Sequence, residues 1–372
     1  MSVHKRNGSI EVLRIITAFL AIVLAFMAAQ AQSQLSTNIE NSLEIIDVSN
    51  AHQVRQIGSL GSSTSSDNLW PSVVTFSPDG LRVGVGRHGG SISVYEIEGG
   101  AEVFFAETSD ELIGGLAFSS DGNTLYSAGG DDLGTSRMGL IYLRTWELYT
   151  TEVRETVLLA DTLRIPFAVG LGGTALLAVN ANQQLYSWRL EEHSRRYVIT
   201  DNMREIHFGC TALTFSINMD LFACGNAHGE VTILRWETNQ SLYSREKMSS
   251  SPIAEVEFSS DSTLLASSHE NGVIALLDVN SGAIRELSSR QAEKVHTYFA
   301  FNPFGSLIVS STDQLLPHIN SRIQLVEVST GQVLGALDEY LVTDVAFSPA
   351  GTMIAVGSID GSVHLWGVEA DS

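Results

Sequence analysis

The sequence predicts an all-β fold: a seven-bladed β-propeller of four-stranded antiparallel blades, its ring closed by an N-terminal strand that pairs with the last blade. Three observations predict it. One short phrase recurs along the chain at blade-length intervals. Between recurrences, apolar and polar residues alternate in runs too short for helices. Gly, Asp, Asn and Ser punctuate those runs at the spacing of tight turns.

The phrase appears as Val74-Thr75-Phe76-Ser77-Pro78-Asp79-Gly80, as Leu116-Ala117-Phe118-Ser119-Ser120-Asp121-Gly122 and as Val345-Ala346-Phe347-Ser348-Pro349-Ala350-Gly351. Worn copies surround Val169, Phe215, Phe258 and Phe301, so successive anchors lie 42, 51, 46, 43, 43 and 46 residues apart. A period of this size signals units that bury their apolar faces only against one another. Each unit reads alike. A first strand ends on the aromatic anchor, and Ser, Asp and Gly make the turn that follows. A second strand is expected over residues 81–86, 125–128, 176–179 and 353–357. A glycine turn follows, as in His88-Gly89-Gly90, Ala227-His228-Gly229, Glu270-Asn271-Gly272 and Asp360-Gly361. Third strands alternate strictly over residues 91–95, 231–234 and 362–366. More polar fourth strands occupy residues 101–107, 283–289 and 332–338. Four strands in ~40–45 residues make a propeller blade.

The last unit stops after its third strand, at the end of the chain. Residues 53–60 alternate suitably to supply the missing one, and they are predicted to pair with residues 363–366. That pairing removes an exposed edge. Residues 49–53 read as one helical turn with Ser49 as N-cap. Upstream, His4, Lys5, Arg6 and Arg14 precede an uncharged run over residues 15–29, and Ala29-Gln30-Ala31 follows. This is the pattern of a secretory signal peptide, residues 1–31, cleaved after Ala31. The run is shorter than the ~20 residues that a membrane span needs. An uncleaved anchor over residues 15–31 is the alternative. The expected organisation is therefore signal, polar linker (32–48) and propeller (49–369), in a secreted or cell-envelope protein.

The Phe-Ser-Pro-Asp-Gly turn, the Asp360-Gly361 turn and Trp366 at the close of a third strand resemble the WD-repeat family of β-propellers. Ser358, Asp360 and Trp366 occupy that family's structural Ser, Asp and Trp positions in the last blade. Trp188 and Tyr95 sit near the aromatic position elsewhere, and Trp146 and Trp236 two residues beyond it. The resemblance spans about residues 52–369. The chain departs from the pattern in two ways. No Gly-His pair precedes a first strand, and no Trp-Asp pair occurs. The family's complete His–Ser–Asp–Trp network is therefore not expected in any blade.

Composition narrows the function. The net charge of −21 argues against nucleic acid and against anionic membrane surfaces, both of which need a basic footprint. With two cysteines, Cys210 and Cys224, no disulfide framework arises. The expected hairpin register does not set them opposite each other, so both read as small buried residues. No nucleophile elbow, phosphate loop or zinc-protease helix is present. His88, His228 and His269 lie at turns of three different blades and read as exposed turn residues, not as a metal set.

Function is expected where the repeats disagree. Two turns between second and third strands are enlarged: residues 130–138, with Asp131, Asp132 and Arg137, and residues 312–320, with Leu315, Leu316, Pro317 and His318. Trp70 enters the same face and reads as a binding anchor. Separately, Glu255 and Glu257 alternate on one side of a first strand, with Asp344 at the position of Glu255 in the last blade. They read as channel acids, solvated or holding a cation. The leading expectation is a monomeric, non-catalytic scaffold without cofactor or metal that binds a protein partner through its loop-rich face. The alternative is a lactonase-like enzyme or a small-ligand or cation binder at the channel mouth.

Overall fold

The computed structural model describes residues 42–61, 70–108, 112–130, 140–150, 153–159, 167–169, 175–179, 184–191, 196–199, 204–205, 209–238, 240–288, 295–314, 321–339 and 342–370. The expected signal segment, residues 1–31, and Asp131, Asp132, Arg137, Leu315, Leu316, Pro317 and His318 lie outside them. Ile45–Val368 form one compact unit. In a second, small unit the Ala370 amide donates to the Ser42 carbonyl at 2.8 Å.

The fold is all-β and propeller-like. Blade A comprises Pro71–Phe76, Arg82–Arg87, Ser91–Glu96 and Glu102–Glu107. Blade B comprises Leu112–Phe118, Thr124–Gly130, Leu140–Glu147 and Val153–Leu159. Blade C holds Cys210–Phe215, Leu221–Asn226, Glu230–Arg235 and Ser241–Lys247. Blade D holds Ile253–Phe258, Leu264–His269, Ile274–Asp278 and Ile284–Ser288. Blade E has a first strand broken into Val295–His296 and Phe299–Phe301, followed by Leu307–Gln314, Ser321–Glu327 and Val333–Glu339. Blade F consists of Val342–Phe347, Met353–Ser358 and Val363–Glu369, with Arg55–Leu60 paired antiparallel to the last of these.

The expected seven like blades in one closed ring are corrected to six blades of this kind. The strands Phe167–Val169, Ala175–Val179, Gln184–Glu191, Arg196–Ile199 and Arg204–Glu205 form an irregular further sheet of five pieces, described almost wholly as backbone. The sequence accounts for the irregularity. Its anchor is Val169 rather than Phe, and Gly170-Leu171-Gly172-Gly173 stands where other units place Ser and Asp. Nor is every blade four-stranded, since blade E carries five strand segments. In that blade Thr312, Asp313 and Gln314, expected in an enlarged turn, extend the second strand instead, with His296 opposite Asp313 and Val295 opposite Gln314.

The apolar cores lie between consecutive blades. Ile92, Val94 and Phe104 of blade A pack with Ile113, Leu116, Phe118 and Leu125 of blade B. Ala266, Ile274 and Leu276 of blade D pack with Phe299, Phe301 and Ile308 of blade E. Each Val, Leu, Ile or Phe among them contributes ~1.5–3 kcal/mol on burial. The segment before Arg55 joins this packing through Ile46, Ala51 and Val54, against blades E and F. Its single helical turn is a 3-10 turn over Ala51–Gln53. Asn50, rather than Ser49, precedes that turn, and it ties the chain back by donating to the Ile45 carbonyl and accepting from the Asp47 amide.

The recurrent phrase makes a self-contained turn. The Ser119 hydroxyl donates to Asp121 Oδ1 at 2.6 Å and accepts from the Thr124 amide at 2.9 Å. Ser77 with Asp79, Ser216 with Asn218 and Ser259 with Asp261 repeat the arrangement. The Ser119 hydroxyl, and next the Asn123 amide, hold Asp121 below the usual carboxylate range. The fourth residue adopts positive φ: Gly80 at 73°, Gly122 at 68° and Gly351 at 73°. Ser262 takes that place in blade D at 59°, and its hydroxyl is buried without a hydrogen bond. Left-handed backbone costs a non-glycine residue ~1–2 kcal/mol. Ser262→Gly is therefore expected to raise the melting temperature, an outcome that thermal denaturation checks directly.

Blades A, B, C, D and F share a register shift four residues before the anchor, which places an extra residue at Ser72, Gly114, Thr211, Ala254 or Thr343. Such bulges re-aim side chains. Here the bulge turns two hydroxyls onto the following blade: Ser72 donates to the Ile113 carbonyl, and Thr211 to the Ile253 carbonyl at 2.8 Å. The same bulge overturns the reading of the cysteines. Cys210 opposes Asn226 and Cys224 opposes Leu213, yet their Cα atoms are 5.5 Å apart and the two form a disulfide. That separation suits a bridge. Closing a loop over a sequence separation of 14 contributes about 3 kcal/mol. The double variant Cys210→Ala/Cys224→Ala should lose that stability in urea denaturation.

Candidate functional site

Two groups of residues stand out, at the inner strands and at one end of the blades. The inner group is Glu255, Glu257 and Asp344. Period-2 alternation puts Glu255 and Glu257 on one side of Ile253–Phe258. Each acid accepts from an amide on the first strand of the next blade. Glu257 Oε2 takes the Phe301 amide at 3.3 Å, Asp344 Oδ2 takes the Val74 amide at 2.7 Å, and Glu255 accepts from Phe299. A first strand has a neighbour in its sheet on one side only, so these acids satisfy edge N–H groups that would otherwise go unpaired.

All three side chains are only partly exposed. Burial, with the charges of Asp344 and Glu257 added, pushes Glu255 well above the usual carboxylate range. Burial lifts Glu257 to about 8 and Asp344 to about 7, against the pull of their backbone hydrogen bonds. The three thus feel one another across blades D and F, and among the described residues no positive charge contributes to their environment. Among the described residues, no three His, Cys, Asp or Glu side chains are placed to hold a metal ion.

The second group lies where Trp70 enters blade A. Trp70 stacks against His88, with ring centroids 4.8 Å apart at 44°, and its carbonyl accepts from the His88 amide at 3.1 Å. Trp70 is half-buried. Behind it Arg87 is buried, and its guanidinium donates to Ser93 Oγ at 2.7 Å and to Tyr95 Oη at 3.0 Å. His88 is thus a packing partner, while His228 is exposed as expected. His269 corrects the expectation of exposure: it is fully buried, bonded to Ser267 Oγ at 2.9 Å and to the Ser251 carbonyl at 3.0 Å. Burial, the largest influence, lowers its pKa.

In the last blade Ser358 is buried and Asp360 Oδ1 accepts from the amide and hydroxyl of Ser362, at 2.9 and 2.6 Å. Trp366 is buried, and its indole N–H makes no hydrogen bond. A Ser–Trp link does form in blade B, where Trp146 Nε1 donates to Ser127 Oγ at 2.8 Å. Sequence reasoning missed that link and the Ser72 and Thr211 clamps. The available signal for the clamps was a hydroxyl four residues before an anchor, as at Ser72 and Thr211; Thr297 and Thr343 share the position, but their hydroxyls are buried without a hydrogen bond.

Comparison with known proteins places these blades. Residues 213–302 match the family described as the anaphase-promoting complex subunit 4 WD40 domain, and residues 331–367 match the WD domain, G-beta repeat. Protein tipD of Dictyostelium discoideum is 24% identical over 261 residues, covering 68% of this chain and 39% of that protein. Abnormal embryogenesis protein 30 of Caenorhabditis elegans is 33% identical over 98 residues, covering 24% of this chain and 9% of that protein. The chain therefore spans well under half the length of either relative.

Proposed function

From the WD40 matches over residues 213–302 and 331–367 and the propeller-like blades, we propose that the chain is a WD-repeat propeller acting as a non-catalytic interaction scaffold, exported from the cytosol, that binds a protein partner through the face bearing Trp70 and the enlarged turns. Propellers of this family serve generally as protein-interaction scaffolds, and nothing in the inner strands requires chemistry of them. One observation carries the reading of the face. Trp70 is held in place by His88 yet remains partly open, the condition of an aromatic anchor that loses little entropy on binding. The disulfide supports export, since such bridges persist in oxidising compartments.

Capture of partners on the immobilised chain, compared with a chain lacking residues 315–320 and so keeping the strand Leu307–Gln314, tests the face. Loss of the captured protein is expected; equal recovery removes the case for that turn. N-terminal sequencing of the mature protein tests export, with Gln32 as the expected first residue. An intact Met1 in a membrane fraction would establish the anchor instead.

A further inference from the structure

We propose that the side-chain cluster of Glu255, Glu257, Asp344 and Ser268 binds a cationic N–H donor, a primary ammonium or guanidinium group. Charge points to a cation. Three carboxylates influence one another there, and among the described residues no positive charge faces them. Buried charges are ordinarily paired.

The geometry names the class of ligand. Glu255 uses one oxygen on the Phe299 amide, while its Oε2 is buried with no hydrogen-bond partner. Directly across the strand pair, Glu255 opposes Ser268, so both side chains stand on one face of blade D. Ser268 is fully buried, and its hydroxyl also lacks a partner. Two orphaned polar atoms of different residues thus sit side by side in a negative environment. A group carrying positive charge and several N–H bonds satisfies both and favours the ionised form of Glu255, since an ionised carboxylate only accepts and a hydroxyl does either. A metal ion fits poorly, for want of three converging ligands among the described residues. An anion is excluded by charge. Glu255 and Glu257 are each partly exposed, while Glu255 Oε2 and the Ser268 hydroxyl are buried.

The donor has two sources, a free amine or a basic side chain of a protein. The proposal does not rest on the reading of the face that bears Trp70.

Calorimetric titration of the whole chain near pH 8, where Glu257 with its pKa of about 8 is about half ionised, tests the site. Propylammonium and propylguanidinium are the probes, and tetramethylammonium supplies charge without N–H donors. The first two are expected to bind, and tetramethylammonium to bind at least tenfold more weakly. Glu255→Gln is expected to weaken propylammonium at least tenfold, and Ser268→Ala several-fold, each with folding verified by circular dichroism. If Glu255→Gln does not fold, Ser268→Ala carries the test. Tighter binding of a lysine peptide than of spermidine assigns the donor to a protein; the reverse assigns it to a free amine. Absence of binding by both probes, equal binding of tetramethylammonium, or unchanged affinity in the variants overturns the proposal. None of these results bears on Trp70, so the loop-face reading stands or falls separately.

Discussion

Gly229→Ala is expected to destabilise the fold by roughly 3–5 kcal/mol, a large effect for one added methyl group. Gly229 has φ +75°, and a Cβ there would lie 2.3 Å from the Ser249 carbonyl oxygen and 2.5 Å from that of Ser251. Neither oxygen is free to retreat. The Gly229 carbonyl itself accepts from the Met248 and Ser249 amides at 2.9 and 3.3 Å, which pins the facing segment. The turn is fixed from the other side as well, because Asn226 Oδ1 accepts from the His228 and Glu230 amides. Gly99 provides the control. Its φ is +77°, but nothing lies within 4 Å of its would-be Cβ. Gly99→Ala should therefore cost only the left-handed strain, ~1–2 kcal/mol. Urea denaturation of the two variants separates collision from strain, and equal losses would show that the Ser249–Ser251 segment yields.

The second large effect is on pH dependence. Glu257 and Asp344 ionise in the folded chain at about 8 and about 7, against ordinary values of 4.5 and 3.8. Glu255 is displaced in the same direction. Folded pKa values above the unfolded ones mean that the native state holds protons the unfolded chain has released. Their stabilising contribution is complete below about pH 4 and is lost as pH rises through about 8. A pKa raised tenfold in proton affinity corresponds to ~1.4 kcal/mol. Because the side chains are partly exposed, solvent screening reduces the combined effect to a few kcal/mol. The melting temperature should thus fall steadily between pH 5 and 8. The triple variant Glu255→Gln/Glu257→Gln/Asp344→Asn should flatten that slope. Removing the acidic turn residue Asp121, whose pKa is depressed, would leave the slope in place, since depressed acids act at lower pH.

The blades were legible because the signals that make them are local. A Phe anchor, a Ser two residues before an Asp, and a glycine at positive φ each act within a handful of residues, so they can be read in order along the chain. The pairing of Arg55–Leu60 with Val363–Glu369 was legible too, from an unfilled strand position and a suitable alternation. What failed was non-local or cumulative. Around Val169 each signal is individually weakened, and the strands there depart from the regular blade. The Cys210–Cys224 bridge depends on a bulge at Thr211, which advances the register by one residue and leaves no mark that hydropathy can register. The burial of His269 depends on Ser267 and on the Ser251 carbonyl, which lies in the approach to the same blade's first strand. The acids were found because they break a pattern: two charges alternate where other first strands carry Ala, Thr or Gly. Their use as acceptors for the next blade's amides appears only when the blades are set side by side.

The central claim is that the blades are scaffold and that recognition resides at the end bearing Trp70. Quantitative capture of the bound protein by the wild-type chain, by Trp70→Ala and by Phe304→Ala tests it most directly. Phe304 is 56% exposed and lies in the turn after a first strand, at the opposite end of the blades from Trp70. Trp70→Ala is expected to reduce capture at least tenfold, equivalent to the ~2 kcal/mol of an anchor residue, while Phe304→Ala leaves it unchanged. Loss of capture with Phe304→Ala and retention with Trp70→Ala would contradict the claim.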